Sequence, residues 1–193
     1  MGFTRAELEA YRDAEIHDLV GPRCRLLFVG INPGLWTAAV GAHFARPGNR
    51  FYPALAAAGI VDRPIDASRG MSDDDARALT ERGIGITNLV RRATARADEL
   101  TKDELRAGRA ELHETVRRIS PSVVAILGIT AYRTAFGVRD AVLGRAAEPF
   151  ENAALWLLPN PSGLNAHETV ASLGHWYRAA AADAGIVDTT TIG

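Results

Sequence analysis

The chain has 193 residues, 47% of them hydrophobic and 23% charged, and a net charge of −1. That is the balance of one ordinary globular domain, and it excludes a uniformly basic nucleic-acid coat while leaving room for a local basic face. A single cysteine, Cys24, excludes an internal disulfide and a four-cysteine zinc or iron–sulfur site.

In chain order, Thr4 to Glu7 has capping-box spacing and opens a periodic stretch through Leu8, Tyr11, Glu15 and Leu19, which predicts a helix over residues 1–20, interrupted by Pro22. Arg25 to Val29 is a short apolar run ended by Gly30, the pattern of a buried strand. Ile31-Asn32-Pro33-Gly34 is turn chemistry. Asn49 to Ala58 is alanine-rich, is closed by Gly59 and reads as a helix. Ser72 to Asp75 caps another helix to Arg82, and Ile84 to Val90 reads as a second strand. Arg91 to Asp98 is an arginine-rich loop. Thr101 to Glu104 is a second capping box, opening an amphipathic helix through Leu105, Leu112, Val116 and Ile119 that Pro121 stops. Val123 to Leu127 is the strongest strand, followed by Gly128 and a short helix from Thr130 to Phe136. Leu155 to Leu158 makes a fourth strand, Pro159 to Asn165 a loop and Ala166 to Ala184 a last helix.

Helices alternating with short, wholly apolar strands predict an α/β fold with a parallel sheet covered on both faces. No repeat or linker divides the chain, so 1–193 reads as one domain with a frayed tail at 188–193. The apolar runs are too short to cross a bilayer. Glu7, Glu9, Asp13 and Glu15 are unlike a secretion signal. A cytoplasmic protein is the expectation. Of the 22 basic side chains all but Lys102 are arginines, which leaves almost no amine for Schiff-base chemistry.

Ligands of open α/β sheets bind beyond the carboxyl ends of the strands. The loops there are Gly30 to Leu35, Thr87 to Arg92 and Pro159 to Asn165, bringing asparagines, backbone amides and one leucine to a common mouth with arginines at its rim. No phosphate-cradling GxxxxGK[ST], no GxGxxG after a strand and no GxSxG elbow occurs. His17, His43, His113, His167 and His175 show no metal-ligand spacing beyond a coincidence of His167 and His175, and no metal is expected.

Three segments, Gly30-Ile31-Asn32-Pro33-Gly34-Leu35, Phe44-Ala45-Arg46-Pro47-Gly48-Asn49-Arg50-Phe51 and Asn160-Pro161-Ser162-Gly163-Leu164, together resemble the mismatch-specific uracil-DNA glycosylase and thymine-DNA glycosylase family. The resemblance runs from about Arg25 to Ala182. It implies the three-layer α/β/α uracil-DNA glycosylase fold with a short, mostly parallel, four-stranded central sheet. It also implies excision of uracil, or another damaged pyrimidine, from double-stranded DNA opposite guanine. No cofactor or metal is implied. The expected setting is a monomeric, nucleoid-associated bacterial repair enzyme whose abasic product passes to downstream repair enzymes.

On this resemblance Asn32 is the catalytic residue. Its amide holds the attacking water but cannot take its proton, so a slower enzyme is expected than relatives with aspartate there. Phe44 stacks on the extruded base. Ile31, Gly34, Thr37 and Asn88 complete the base site, with backbone amides near Ile31 and Phe44 donating to the departing base. Thr37 stands where bacterial relatives have serine and vertebrate relatives alanine. Asn88 stands where bacterial relatives often have lysine and the vertebrate type asparagine. Leu164 is the wedge that enters the duplex. Asn160, Ser162, Gly163 and Asn165 face the DNA with Arg46, Asn49 and Arg50, and Arg91, Arg92 and Arg96 are further rim candidates. Bacterial relatives follow the wedge with serine and arginine. Here Asn165, Ala166 and His167 follow, which weakens the expectation of strict preference for guanine opposite. Two other readings stay open: a non-catalytic lesion-binding protein on the same fold, and a hydrolase of small nucleosides using the same pocket.

Overall fold

A run of apolar residues without alternation makes a stable strand only where both faces are covered. In the computed structural model, which describes residues 2–188, β1 (Leu26–Gly30) meets that condition, with Leu26 to Val29 wholly buried. β2 (Ile84–Asn88), β3 (Val123–Leu127) and β5 (Ala154–Leu158) lie parallel to it, and the two-residue β4 (Gly144–Arg145) runs antiparallel at one edge. The order across the sheet is β2-β1-β3-β5-β4.

The helices are α1 (Arg5–Glu9), α2 (Leu35–Val40), α3 (Phe51–Ala57), α4 (Asp73–Glu81), α5 (Lys102–Ile119), α6 (Ile129–Phe136) and α7 (Val170–Asp183). Alternate residues of each strand enter opposite layers. Leu26, Phe28, Ile84 and Ile86 pack with Phe51 and Leu55 of α3 and Leu173 and Tyr177 of α7. Leu27, Val29, Val124 and Ile126 pack with Leu105, Leu112 and Val116 of α5 and Tyr132 of α6. This is the expected three-layer α/β/α architecture. The chain leaves β1 toward β2 and then crosses to β3 on the other side, so the strand order reverses at the carboxyl ends of β1 and β3. That is where such sheets open a crevice.

Several expectations are corrected. The sheet has five strands rather than four, because two residues without apolar pattern suffice for β4 at the edge. The helix expected over 1–20 shrinks to α1. Its capping box at Thr4 and Glu7 is present. Beyond it tertiary bonds take over: Asp13 turns left-handed (φ 65°) and gives its amide to Ala93, and Leu19 forms an antiparallel bridge with Ile86. α3 starts at Phe51 because the Asn49 side chain accepts the Phe51 amide at 2.9 Å. The last helix starts at Val170, not Ala166, because Thr169 and Ser172 cap it reciprocally. α2 was not expected. Of the tail expected to fray, 189–193 lie outside the described residues.

Candidate active site

Each loop that the sequence singles out sits at the carboxyl end of a strand. Gly30 at the end of β1 pairs in register with Asn88 at the end of β2. Ile31 packs over Gly128 beyond β3, so it caps the point where the strand order reverses. Gly34 caps α2 with its backbone only, and a side chain there would meet nothing of the protein within 4 Å. Thr37, in the first turn of α2, is buried and makes no cap.

The Asn32 amide is oriented by its neighbours. Nδ2 donates to the Arg92 carbonyl at 2.9 Å and to Thr94 Oγ1 at 2.8 Å. A carbonyl only accepts, so the assignment of nitrogen and oxygen is unambiguous. The Thr94 hydroxyl passes its own hydrogen to the Arg96 carbonyl at 2.8 Å, and Thr94 is 1% exposed. Both hydrogens of the amide are spent and Oδ1 is left as an acceptor for water.

Phe44 has a left-handed backbone (φ 54°), a conformation that costs a side-chain-bearing residue on the order of 1 kcal/mol or more. Its ring stacks on Phe51 with centroids 4.1 Å apart, and a Cβ on Gly30 would come within 3.1 Å of it. Neither the Phe44 nor the Ile31 backbone N–H donates to an acceptor among the described residues, as a pair of donors for a departing base requires.

His43, absent from the sequence-based site, is 5% exposed. Its Nε2 lies 3.0 Å from the His17 carbonyl and its Nδ1 3.3 Å from Asn88 Nδ2. Burial pushes the imidazole down to about 4, against weaker upward pulls from the His17 carbonyl and Asp18. The folded value lies below the ordinary 6.5, so this contribution to stability is complete above pH 6.5 and is lost as pH falls toward 4. The difference corresponds to on the order of 3 kcal/mol. Urea melts at pH 7 and pH 4.5 should show this loss, and His43→Gln should flatten it. A variant that keeps the wild-type slope would place the effect elsewhere.

The loop after β5 is built on the segment before α3. The Arg50 amide donates to the Pro161 carbonyl at 3.0 Å. Its guanidinium reaches the carbonyls of Asn165 at 2.8 Å and of Ser162 and Gly163 at 3.3 Å. A Cβ on Gly163 would come within 2.6 Å of the Gly48 carbonyl, so only glycine permits this approach. Within the loop Asn160 Oδ1 accepts the Ser162 amide, Ser162 Oγ accepts the Leu164 amide and Asn165 Nδ2 donates to the Asn160 carbonyl. Leu164 stands at the tip, 77% exposed. A groove of about 290 Å³ separates residues 46–50 from 162–164.

The arginines divide. Arg50 is a clamp rather than a free cation. Arg92 is held by Glu104 at 2.7 Å and Asp13 at 2.8 Å, Arg96 pairs with Asp98, and Arg91 lies near Asp18 and Glu111. Arg46 is exposed and has no acidic partner among the described residues. It borders both the groove and a cavity of about 740 Å³ walled by α1, α2 and residues 95–99, whose lining includes Gly34 and Leu35 but not Asn32.

The family model of the uracil DNA glycosylase superfamily matches residues 17–183. The chain belongs to that superfamily. Among solved structures, a candidate uracil DNA glycosylase from Methanosarcina acetivorans, known from solution NMR, superposes with a TM-score of 0.59 at 14% identity, covering 89% of this chain and 96% of that one. At this identity the likeness speaks for the fold. Superfamily membership supports a DNA glycosylase function. α1 lies outside the matched residues. Thr94 and His43 were missed by sequence reasoning, since a threonine in an arginine-rich loop and a lone histidine carry no pattern of their own.

Proposed function

We propose that this chain is a monofunctional DNA glycosylase of the mismatch-specific type, hydrolysing the N-glycosidic bond of uracil in double-stranded DNA, with G·U mispairs favoured. The observation that carries the reading is the Asn32 amide, whose two hydrogens are bound by Arg92 and Thr94 so that Oδ1 is left to accept from a water. Cleavage passes through an oxocarbenium-like sugar with negative charge growing on the base. The water adds to the sugar carbon as the glycosidic bond breaks, the base leaves with the bonding pair, and the proton lost by the added water passes to bulk water because an amide cannot take it. The free amides of Ile31 and Phe44 supply fixed donors to that charge, each worth about 3 kcal/mol in comparable sites. Phe44, braced by Phe51, offers a face for stacking. Leu164, at the tip of a loop held by Arg50, fills the gap left in the duplex, and extrusion is cheapest at a mispair.

The product is an abasic site and the reaction stops there. A lyase step needs an amine nucleophile, and the single lysine, Lys102, stands in the first turn of α5 after the Thr101 cap rather than in any of the three loops at the mouth. Release of uracil from a labelled G·U duplex, without borohydride-trappable adduct, tests the reading. Tight binding without any abasic product would favour a lesion-binding protein instead.

Thymine should be excised poorly. Thr37 is buried at the start of α2, and its β-branch limits retreat from a methyl at C5 of the base. A filled pocket penalises an extra methyl by about 10- to 200-fold. The ratio of G·U to G·T excision should therefore exceed about tenfold and should fall in Thr37→Ala. An unchanged ratio would remove Thr37 from the base site. Arg46→Ala should weaken binding to all duplexes alike and reduce the slope of log K against log salt by about one. A slope equal to wild type would mean that Arg46 meets no phosphate.

A further inference from the structure

We propose that His43, held by the carbonyl of His17, is the positioning residue that decides which edge of the Asn88 amide faces the base site. It thereby selects bases that present a ring N–H. The inference rests on the base-excision reading above. A primary amide has nearly the same shape after a half-turn about its last bond, but the half-turn exchanges donor and acceptor. Some neighbour must break that symmetry.

Here the neighbour is an imidazole whose hydrogen is itself assigned. The His17 carbonyl can only accept, so His43 Nε2 carries the hydrogen, at 3.0 Å. The neutral ring then offers Nδ1 as an acceptor, and Asn88 Nδ2 donates to it at 3.3 Å. Asn88 Oδ1 is therefore turned the other way. It occupies the space that Gly30 leaves free, 2.5 Å from where a Cβ would stand, next to the edge of Phe44. No donor among the described residues reaches that oxygen.

Both ends of the relay are fastened to one strand. Leu19 and Ile86 exchange backbone hydrogen bonds of 2.9 and 2.8 Å, and the Thr87 hydroxyl donates to Asp18 Oδ1 at 2.6 Å. The His17 carbonyl is thus held against the strand that carries Asn88. Asp18 is the charged group that pulls on the ring, and it pairs with Arg91 on its other oxygen at 3.7 Å. A bare, half-buried acceptor beside a stacking ring suits the N3–H of uracil and the lactam N–H of hypoxanthine. Cytosine and adenine bring a lone pair to that position, acceptor against acceptor.

Duplexes with 5-fluorouracil or 5-fluorocytosine opposite guanine test this: fluorine activates both as leaving groups, their remaining difference in leaving ability is the same for every variant, and a change of the ratio between variants therefore reports the ring edge. Wild type should prefer fluorouracil by about 10²-fold or more. His43→Ala should cut that ratio at least about tenfold, because Asn88 then turns freely. His43→Asn, which keeps an oxygen acceptor near the Nδ1 position, should hold the ratio within about threefold of wild type. Equal losses on both substrates in His43→Ala, or an unchanged ratio, would overturn the proposal. On the unaltered protein, nitrogen NMR should find His43 as the neutral Nε2–H tautomer at pH 7, and an Nδ1–H tautomer would overturn it as well. No base release from any duplex would overturn the base-excision reading, leaving the tautomer to decide the relay.

Discussion

Asn32→Ala is expected to slow single-turnover release of uracil by about 10²- to 10³-fold while duplex affinity stays within a few-fold. The side chain is asked to place a water, and placement of a reactant at attack distance is worth several kcal/mol. Its own geometry is imposed from outside: one hydrogen on a backbone carbonyl, one on a buried hydroxyl. Thr94→Val should therefore reproduce part of the loss, about tenfold, by letting the amide turn. Thr94→Ser keeps the hydroxyl and should restore most of the rate. Near-normal excision by Asn32→Ala would reject the assignment. Equal defects in the valine and serine variants would mean that Thr94 acts through packing and not through Asn32.

The second large effect is expected at Arg50. The fork of its guanidinium spans three carbonyls of the loop that carries Leu164. Charge-assisted bonds of this kind are worth about 1.5–3 kcal/mol each, and a lysine cannot reproduce the fork. Arg50→Ala and Arg50→Lys should both lower excision from duplex DNA by about 10- to 10²-fold, since a loose loop must be ordered at the moment of extrusion. Uracil in single-stranded DNA leaves no gap to fill, so the loss there should be much smaller. Leu164→Ala added to Arg50→Ala should bring little further loss on duplex DNA. Equal losses on single and double strands would show that Arg50 serves α3 and not the loop.

How much of this was legible in the sequence depended on the range of the interactions. β1, β2, β3 and β5 announce themselves because strands buried on both faces admit only apolar side chains. α5 does so because both ends carry local signals, Thr101 with Glu104 at the start and Pro121 beyond the end. β4 has two residues, Gly144 and Arg145, and no pattern fits in two residues. α2 hides behind Asn32-Pro33-Gly34 because a glycine caps it with backbone alone. The N-terminal periodicity through Leu8 and Tyr11 was real, but the chain found better partners in Ala93 and Ile86 than a continued helix could offer.

At the site, the residues proposed to meet base and DNA stand in local motifs, and the side chains bonded to them do not. Asn32 is bound by Thr94 across 62 positions, Asn88 by His43 across 45, and the loop by Arg50 across as many as 115. Arg50, expected at a DNA-facing position, has its guanidinium on three carbonyls of the loop that carries Leu164, and sequence cannot distinguish a guanidinium that meets phosphate from one that meets carbonyls. Arg92 and Arg96, expected at the rim, are both paired: Arg92 with Asp13 and Glu104 of other segments, and Arg96 with Asp98 two residues on.

The bridge between Leu19 and Ile86 also bears on the open borders of the sheet. An open sheet ends in rows of unpaired backbone groups that invite another chain to join. Here one border strand is only two residues long, and the other, β2, is partly covered by residues 17–19. The segment that fastens the His17 carbonyl is thus also a cover for that border. A chain shortened past Leu19 would uncover β2 and take the His17 carbonyl from His43 in one cut.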